Sequence, residues 1–223
     1  RGQLDVDWNE PYRIAAAVRK FKLTYCVITS VTRDDLPDGG AILFVKTIQL
    51  IHEISRDIQI EVLVPDFQGN KPSIKKIVAV QPDTMGHNIE TVRRLYEGFR
   101  PEADYDLSLE VLRAIKQLNP EMITKSSLML GLGEEKDEVI ETMIDLRDSG
   151  CDILTLGQYL APSILHYPIK EFVTPQQFER YKKIGLQLGF KAVAAGPLVR
   201  SSYQAQEVFQ EAKESKESWG CTI

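Results

Sequence analysis

Short apolar, β-branched runs alternate along this chain with longer amphipathic stretches. The runs are "TYCVITSV" (24–31), "IQIEVLVPDF" (58–67), "DTMGHNIET" (83–91), "MITKSSLML" (122–130), "DILTLGQYL" (152–160) and "KAVAAGPLV" (191–199). Helical periodicity is read over 11–21, 40–56, 73–80, 105–118, 135–149 and 175–188. In 135–149, Val139, Ile140, Met143, Ile144 and Leu146 are expected to form one apolar face, with Gly150 as the stop. Thr174 and Pro175 form a cap and first-turn pair for the last of these helices. Strands that each lead into a helix imply βα units and a parallel sheet. A long series of such units, with no glycine-rich dinucleotide turn after the first, favours a full or partial parallel (β/α) barrel over a doubly wound sheet. No linker interrupts 1–207, which reads as one α/β core. Residues 208–223, "VFQEAKESKESWGCTI", turn polar and read as a helix fraying into a tail.

The chain has 223 residues and a net charge of −5, so it suits one larger domain or two small ones, and it lacks the basic balance of a general nucleic-acid binder. No apolar stretch is long enough to span a membrane, and no signal-peptide pattern opens the sequence. It starts Arg-Gly-Gln-Leu without a methionine, which reads as a processed start or a fragment. Cys26 and Cys151 lie in apolar surroundings and are expected to be buried; Cys221 sits in the polar tail. The odd cysteine count favours a reducing compartment, and no cysteine pair has metal-ligand spacing.

Polar residues interrupt the apolar runs where a parallel barrel places its chemistry, at the C-terminal ends of strands. They are "TRDDLPDGG" (32–40), "VPDF" (64–67), "GHNIE" (86–90), Lys125 with Ser126 and Ser127, "GLGEE" (131–135), "GQYLAP" (157–162) and "RSSY" (200–203). Singly, each has an ordinary reading. Asp-Gly-Gly is a turn, His87 a hydrogen-bonded structural residue, Lys125 a snorkelling side chain and "RSSY" a surface loop. Together they describe a polar site. Gly39 and Gly40 allow close backbone approach, with carbonyls for an ammonium group, and Asp38 adds charge. Lys125 with the hydroxyl of Ser126 or Ser127 suits a carboxylate. Asn88, Glu90 and Gln158 suit hydroxyls and amides. This inventory fits an amino-acid-bearing nucleoside better than a bare phosphate. "GLGE" lacks the Lys-Ser/Thr of a phosphate loop.

The series "TSVTRDDLPDGGA", "VPDFQG", "HNIETV", "KSSLMLGLGE", "LTLGQYLAP" and "GPLVRSSYQA" resembles the lipoyl synthase family of radical S-adenosylmethionine enzymes, over about residues 4–206. The resemblance implies a partial barrel of the radical S-adenosylmethionine type. It also implies insertion of two sulfur atoms at C6 and C8 of an octanoyl group carried on a protein lysine. It implies two [4Fe–4S] clusters. One, on C-x₃-C-x₂-C, would cleave S-adenosylmethionine; the other, on C-x₄-C-x₅-C, would supply sulfur. The ligand's ammonium is expected near Asp38, Gly39 and Gly40, its carboxylate near Lys125 and Ser127, and its ribose near Asn88 or Glu90. Ser202 would be the oxygen ligand of the second cluster. An alkoxide is a hard partner for iron that prefers thiolate, and so suits a cluster that must give up sulfide. Ser201 would face away if the segment is extended. Arg200 would tune or hold the anionic cluster or the adjoining chain, and Tyr203 would pack with its hydroxyl bonded.

In the family both cysteine motifs precede the "LD…EP" segment, here Leu4, Asp5, Glu10 and Pro11. Neither motif is in this chain, and the first barrel strand would be missing with them, so the chain alone would be inactive. Val64 and Gly86 stand where the family suggests Thr and Ala. The implied partners are octanoylated carriers (glycine cleavage H protein and 2-oxoacid dehydrogenase E2 domains) and an electron donor such as ferredoxin or flavodoxin. The implied location is the cytoplasm, or a mitochondrial or plastid matrix in a eukaryote. Tyr159, Leu160, Pro162 and Ile164 are the expected wall of an octanoyl channel. Two rival readings are an aldolase-type barrel with Lys125 as Schiff-base nucleophile and a cluster-free paralogue that only binds.

Overall fold

A computed structural model of the chain describes residues 5–219; Leu4 and Cys221 lie outside them. The chain forms two compact units, one from residues up to Gly86 with Ala114–Met122, the other from His87–Arg113 with Ile123 onward.

The first unit opens with α1 (Glu10–Phe21), followed by β1 (Tyr25–Thr29), α2 (Ala41–Ile54), β2 (Gln59–Leu63), a 3₁₀ turn at Phe67–Gly69, α3 (Lys71–Ala79) and β3 (Thr84–Gly86). The three strands are parallel, with Tyr25 opposite Gln59 and Glu61 opposite Thr84. Ile48, Ile51, Ile60, Val62, Ile74, Ile77 and Met85 are fully buried, so α2 and α3 bury the faces their apolar spacing marks. The third run is strand only at its start: pairing stops at Gly86, whose carbonyl accepts from Val64 N at 2.9 Å. The two positions that depart from the family pattern are therefore hydrogen-bonded to each other.

The second unit contains a 3₁₀ turn (Arg93–Leu95), α4 (Tyr96–Phe99), the first turns of α5 (Tyr105–Leu118), β4 (Ile123–Leu130), α6 (Lys136–Asp148), β5 (Ile153–Gln158), α7 (Pro175–Gln187), β6 (Ala192–Gly196) and α8 (Ala205–Trp219). β4, β5 and β6 are parallel, with Lys125 opposite Ile153, Leu130 opposite Gln158 and Gly157 opposite Gly196. Leu128, Leu130, Leu154, Leu156 and Val193 point into one core with Val139, Met143, Leu146, Phe178 and Tyr181 from α6 and α7. Thr174 Oγ1 accepts from Gln177 N at 3.2 Å, and Gly150 follows α6 with φ +83°, as the sequence predicts. Ile144 departs from the expected apolar face and is exposed. The helix expected to fray begins at Ala205, and Val208, Phe209 and Ala212 are buried. The start of the expected tail thus belongs to the packed unit.

Parallel strands have no hairpin turn to fix their register. Here a buried carboxylate does it. Asp152, just before β5, accepts from Thr124 N (3.1 Å) and Thr124 Oγ1 (3.2 Å) on β4 and from Lys191 Nζ (2.8 Å) beside β6. Its own N–H donates to the carbonyl of Thr124. In the first unit Asp83 has the matching place before β3, with Oδ2 accepting from Ile60 N at 2.8 Å. Asp152→Ala leaves a partly buried ammonium and a strand N–H without their acceptor. We expect it to lower stability by about 3 kcal/mol, read as a fall in the urea midpoint; a loss under about 0.5 kcal/mol would show that the carboxylate does not set the register.

Candidate functional site

In the first unit the site residues gather in the loop from β1 to α2. Gly39 and Gly40 have φ of +60° and +83°, which a side chain resists. Asp38 Oδ1 accepts from Gly40 N and Oδ2 from Ile42 N, both at 3.1 Å, and Lys76 Nζ lies 3.5 Å from Oδ2. Asp38 therefore satisfies the free N–H groups at the start of α2. Its carbonyl and that of Gly40 accept from Ala41 N and Leu43 N. Facing this loop is Asp66–Asn70, with Phe67, Gln68 and Gly69 all left-handed at φ +52°, +49° and +76°. Phe67 lies over Gly39: a Cβ there would come within 2.7 Å of its ring. Asn70 Nδ2 donates to the carbonyl of Pro37 at 3.3 Å. The two loops enclose a cleft of about 180 Å³ lined by Asp34, Leu36, Pro37, Gly39, Phe67, Gln68 and Asn70.

In the second unit, residues after β3 run beside β4. His87 N donates to the Lys125 carbonyl, Glu90 N to that of Ser127, and Met129 N to that of Glu90. Ser126 Oγ accepts from Ile89 N at 3.1 Å. That bond decides between the two serines: Ser126 anchors the neighbouring segment on the core side, and alternation turns Lys125 and Ser127 to the other face. Asn88 Nδ2 donates to Glu90 Oε1 at 3.1 Å. Glu90 has φ +65°, unusual for a residue with a Cβ. Burial pushes its carboxyl above the usual range, against the pull of Asn88 and Arg100.

Four sequence-based placements change. Lys125 is not at a strand end: it is buried, third in the eight-residue β4, opposite the first residue of β5. The strand runs on to Leu130, so the carboxylate contact assigned to Lys125 is displaced from the strand ends. Gln158 is committed to the fold. Its Nε2 donates to the carbonyls of Tyr159 and Glu171 at 3.0 Å, and its Oε1 accepts from Val173 N at 2.9 Å. It fastens both ends of the 159–173 loop. Tyr159 is buried, edge-on to Phe99 at 5.3 Å, with its hydroxyl on the Tyr167 carbonyl, so it is core rather than wall; Leu160 and Ile164 are exposed. Tyr203 is exposed instead of packed.

The "RSSY" segment is a turn over 201–204, not extended chain, so strand alternation does not separate its serines. Exposure does: Ser202 is exposed and Ser201 is half-buried. Tyr203 N donates to the Arg200 carbonyl at 2.9 Å. Arg200 holds the adjoining chain through Nη1, which donates to the carbonyls of Val199 (2.7 Å) and Pro197 (3.5 Å). The loop lies on the end of β5. A Cβ at Gly157 would collide with the Val199 carbonyl and sit 3.2 Å from Arg200 Nη1. A residue the sequence reading passed over is Arg100, at the end of α4, whose charge acts on Glu90. Its signal in the sequence is an arginine fixed before Pro101 in the connection that follows "HNIETV".

Among the described residues no cluster of His, Cys, Asp and Glu is arranged to hold a metal ion. Cys26 and Cys151 are buried, as expected, and burial pushes the Cys26 thiol up to about 11. The Cys26 thiol is therefore not a ready thiolate ligand.

Gly157→Ala is expected to cost about 1–3 kcal/mol and to speed amide hydrogen exchange across 197–204; unchanged exchange there would show that the turn does not rest on this strand. For Glu90, a folded-state value above the unfolded one means that the folded state holds the proton more tightly. Stability then falls as pH rises from the unfolded value, about 4.3, through the folded one. Glu90→Gln should remove that fall, so that its melting temperature gains on the parent's between pH 4 and pH 7.5. A constant offset across that window would contradict the shift.

Residues 2–146 match the Radical SAM superfamily. The chain is 53% identical over 209 residues to lipoyl synthase of Rubrobacter xylanophilus, covering 94% of this chain and 65% of that protein. It is 52% identical over 211 residues to lipoyl synthase of Alkaliphilus metalliredigens, covering 95% and 73%. The chain thus spans about two thirds to three quarters of the length of these relatives. Among solved structures it resembles HydG, a maturase of the [FeFe]-hydrogenase, with a TM-score of 0.66 at 15% identity, covering 95% of this chain and 49% of that one. It also resembles methylornithine synthase (PylB), with a TM-score of 0.59 at 11% identity, covering 97% and 74%. These likenesses bear out the α/β fold class, a partial parallel barrel of the radical S-adenosylmethionine type. With half of its residues identical to relatives of which it covers most of the length, the chain belongs to the lipoyl synthase family of the radical SAM superfamily.

Proposed function

We propose that the protein containing this chain inserts two sulfur atoms at C6 and C8 of an octanoyl-lysine on a carrier protein, using S-adenosylmethionine. The observation that carries this reading is the turn at 200–203. Ser202 is exposed on a segment that Arg200 ties together through the carbonyls of Val199 and Pro197, and whose Val199 carbonyl rests on Gly157 of β5. A hydroxyl held out on a fixed turn suits an exchangeable oxygen ligand better than an ordinary loop does. In this reading two [4Fe–4S] clusters supply hydrogen abstraction and sulfur. The cysteines present in the described residues do not fit such clusters, and the reading assigns the thiolates to C-x₄-C-x₅-C and C-x₃-C-x₂-C sequence preceding this chain.

This chain's own residues bind and orient. Gly39 and Gly40 shape a close-approach loop stiffened by Asp38. Asn88 and Glu90 offer a hydroxyl-binding pair. Glu90, kept protonated over a wider range by burial, can donate as well as accept. Leu160, Pro162 and Ile164 give the rim of the second unit an exposed apolar edge suited to an acyl chain and its carrier domain. The partners are octanoylated H protein or E2 domains, with ferredoxin or flavodoxin as electron donor. Among the described residues no helix is long and apolar enough to cross a membrane; the reading places the protein in a cytoplasm or organelle matrix. A Schiff-base role for Lys125 leaves the "RSSY" turn without a part to play.

In the full-length, cluster-loaded protein, Ser202→Ala should keep reductive cleavage of S-adenosylmethionine and lose about 10-fold or more of lipoyl product (about 1.4 kcal/mol or more). Ser201→Ala should be milder, and Ser202→Cys should hold iron but release sulfide poorly. Lipoyl formation at the parent rate in Ser202→Ala, followed by mass spectrometry of the carrier, would return "RSSY" to a plain surface loop.

A further inference from the structure

Two loops at one end of the second unit hang from adjacent residues of β5. Gly157 lies under the Val199 carbonyl and so seats the chain that leads to Ser202. Gln158, the last residue of the strand, holds the connection to α7. Neighbouring residues of a strand face opposite sides, so one strand end registers both loops.

The connection to α7 has no helix or strand of its own. Loops of this length in a compact unit commonly bind something. This one is closed at its neck. The Gln158 amide donates to the carbonyls of Tyr159 and Glu171 at 3.0 Å and accepts from Val173 N at 2.9 Å. The Gly131 carbonyl accepts from Lys170 N at 2.8 Å and from Glu171 N at 3.3 Å. A Cβ at Gly131 would collide with Gln158 Nε2 and the Glu171 carbonyl, so the neck closes over a glycine. Beyond the neck the loop divides by side. Tyr167, Ile169 and Val173 pack on the core, and Tyr167 stands edge-on to Phe99 at 5.5 Å. Ile164 and Leu165 point away from it, 100% and 90% exposed. Their bend is fixed at its base, where Ser163 Oγ accepts from Leu165 N at 3.2 Å and lies 2.8 Å from His166 Nδ1. Two adjacent aliphatic side chains held out on a fixed bend are an unfavourable way to meet water. They suit a partner with apolar surface that must reach the Ser202 turn on the next strand, and a carrier domain bearing an octanoyl-lysine has both properties.

We propose that Gln158 is a positioning residue for the acyl substrate: it closes the neck of the 159–173 loop and so holds the Ile164–Leu165 tip as a docking edge for the octanoylated carrier, at a fixed place beside the Ser202 turn. This rests on the reading of the protein as one that acts on a carrier-bound octanoyl-lysine. The test uses the full-length, cluster-loaded protein with octanoylated H protein, and S-adenosylhomocysteine as a probe of the nucleoside site. Gln158→Glu keeps an acceptor for Val173 N but, when ionised, turns an oxygen toward the two carbonyls. At pH 8 it should raise the KM for the carrier about 10-fold, change kcat less, speed amide hydrogen exchange across 159–173 and leave S-adenosylhomocysteine binding unchanged. A carboxyl buried beside two carbonyls keeps its proton above the usual range, and the protonated form donates again. The variant's KM should therefore approach the parent's as pH falls toward 6. Replacing the exposed tip, Ile164→Asp with Leu165→Asp, should raise the same KM without faster exchange at the neck. Faster exchange in Gln158→Glu with the parent KM would mean that the loop does not hold the carrier. Unchanged exchange would mean that the amide does not fasten the loop. Equal weakening of S-adenosylhomocysteine would make Gln158 a support of the whole site, and a parent KM in the tip variant would remove the docking edge. Any of these overturns the proposal. A parent protein that converts no octanoylated carrier would instead overturn the functional reading beneath it.

Discussion

The second unit depends on one carboxylate placed where three parallel strands begin. Asp152 joins Thr124 at β4 to Lys191 at β6. A slip of one residue would turn every side chain of a strand to its other face. With the register held at that end, Gly157 is fixed opposite Gly196 at the other. There the chain after β6 settles onto the strand end, because Gly157 lacks the Cβ that would meet the Val199 carbonyl. The burial of a charge at one end of the sheet and the seat of the Ser202 turn at the other are therefore one design. Asp83 repeats the device on β2 and β3.

The hydrophobic pattern made the βα alternation and most helix limits readable, because parallel strands buried on both faces give unbroken apolar runs. Apolarity alone did not show where a strand ends. In 83–91 the pairing stops at Gly86, and "HNIE" runs on beside β4 through single bonds to Lys125 and Ser127. In 122–130 the reverse holds. The polar residues look like an interruption but lie inside a long strand, because Ser126 is satisfied by a backbone N–H and Lys125 is buried. Ile144 counted as apolar and yet faces outward, since a helix face wider than its partner surface leaves its margin exposed.

The candidate site was legible in outline through residue types and the family likeness. Its details turn on hydrogen bonds that no sequence pattern displays. Gln158 looked like a ligand group because glutamine is versatile; its amide is instead filled by Tyr159, Glu171 and Val173. Arg100 drew no notice in the sequence, because its place beside Glu90 is visible only once the neighbours are in place. The turn at 201–204 hid the relation between the two serines, since it follows a local bond from Tyr203 N to the Arg200 carbonyl that the residue types do not announce.

Phe67 seated on Gly39 also has a consequence for how this protein can vary. The aromatic ring occupies the volume that any side chain at position 39 would need, and Phe67 itself is held in a left-handed conformation that bulky residues avoid. A side chain at position 39 is strained while the ring is in place and less so once it is gone, so the substitution energies at the two positions do not add. A lineage could enlarge residue 39 only after residue 67 had shrunk. The two loops, far apart in sequence, therefore drift as a single heritable unit.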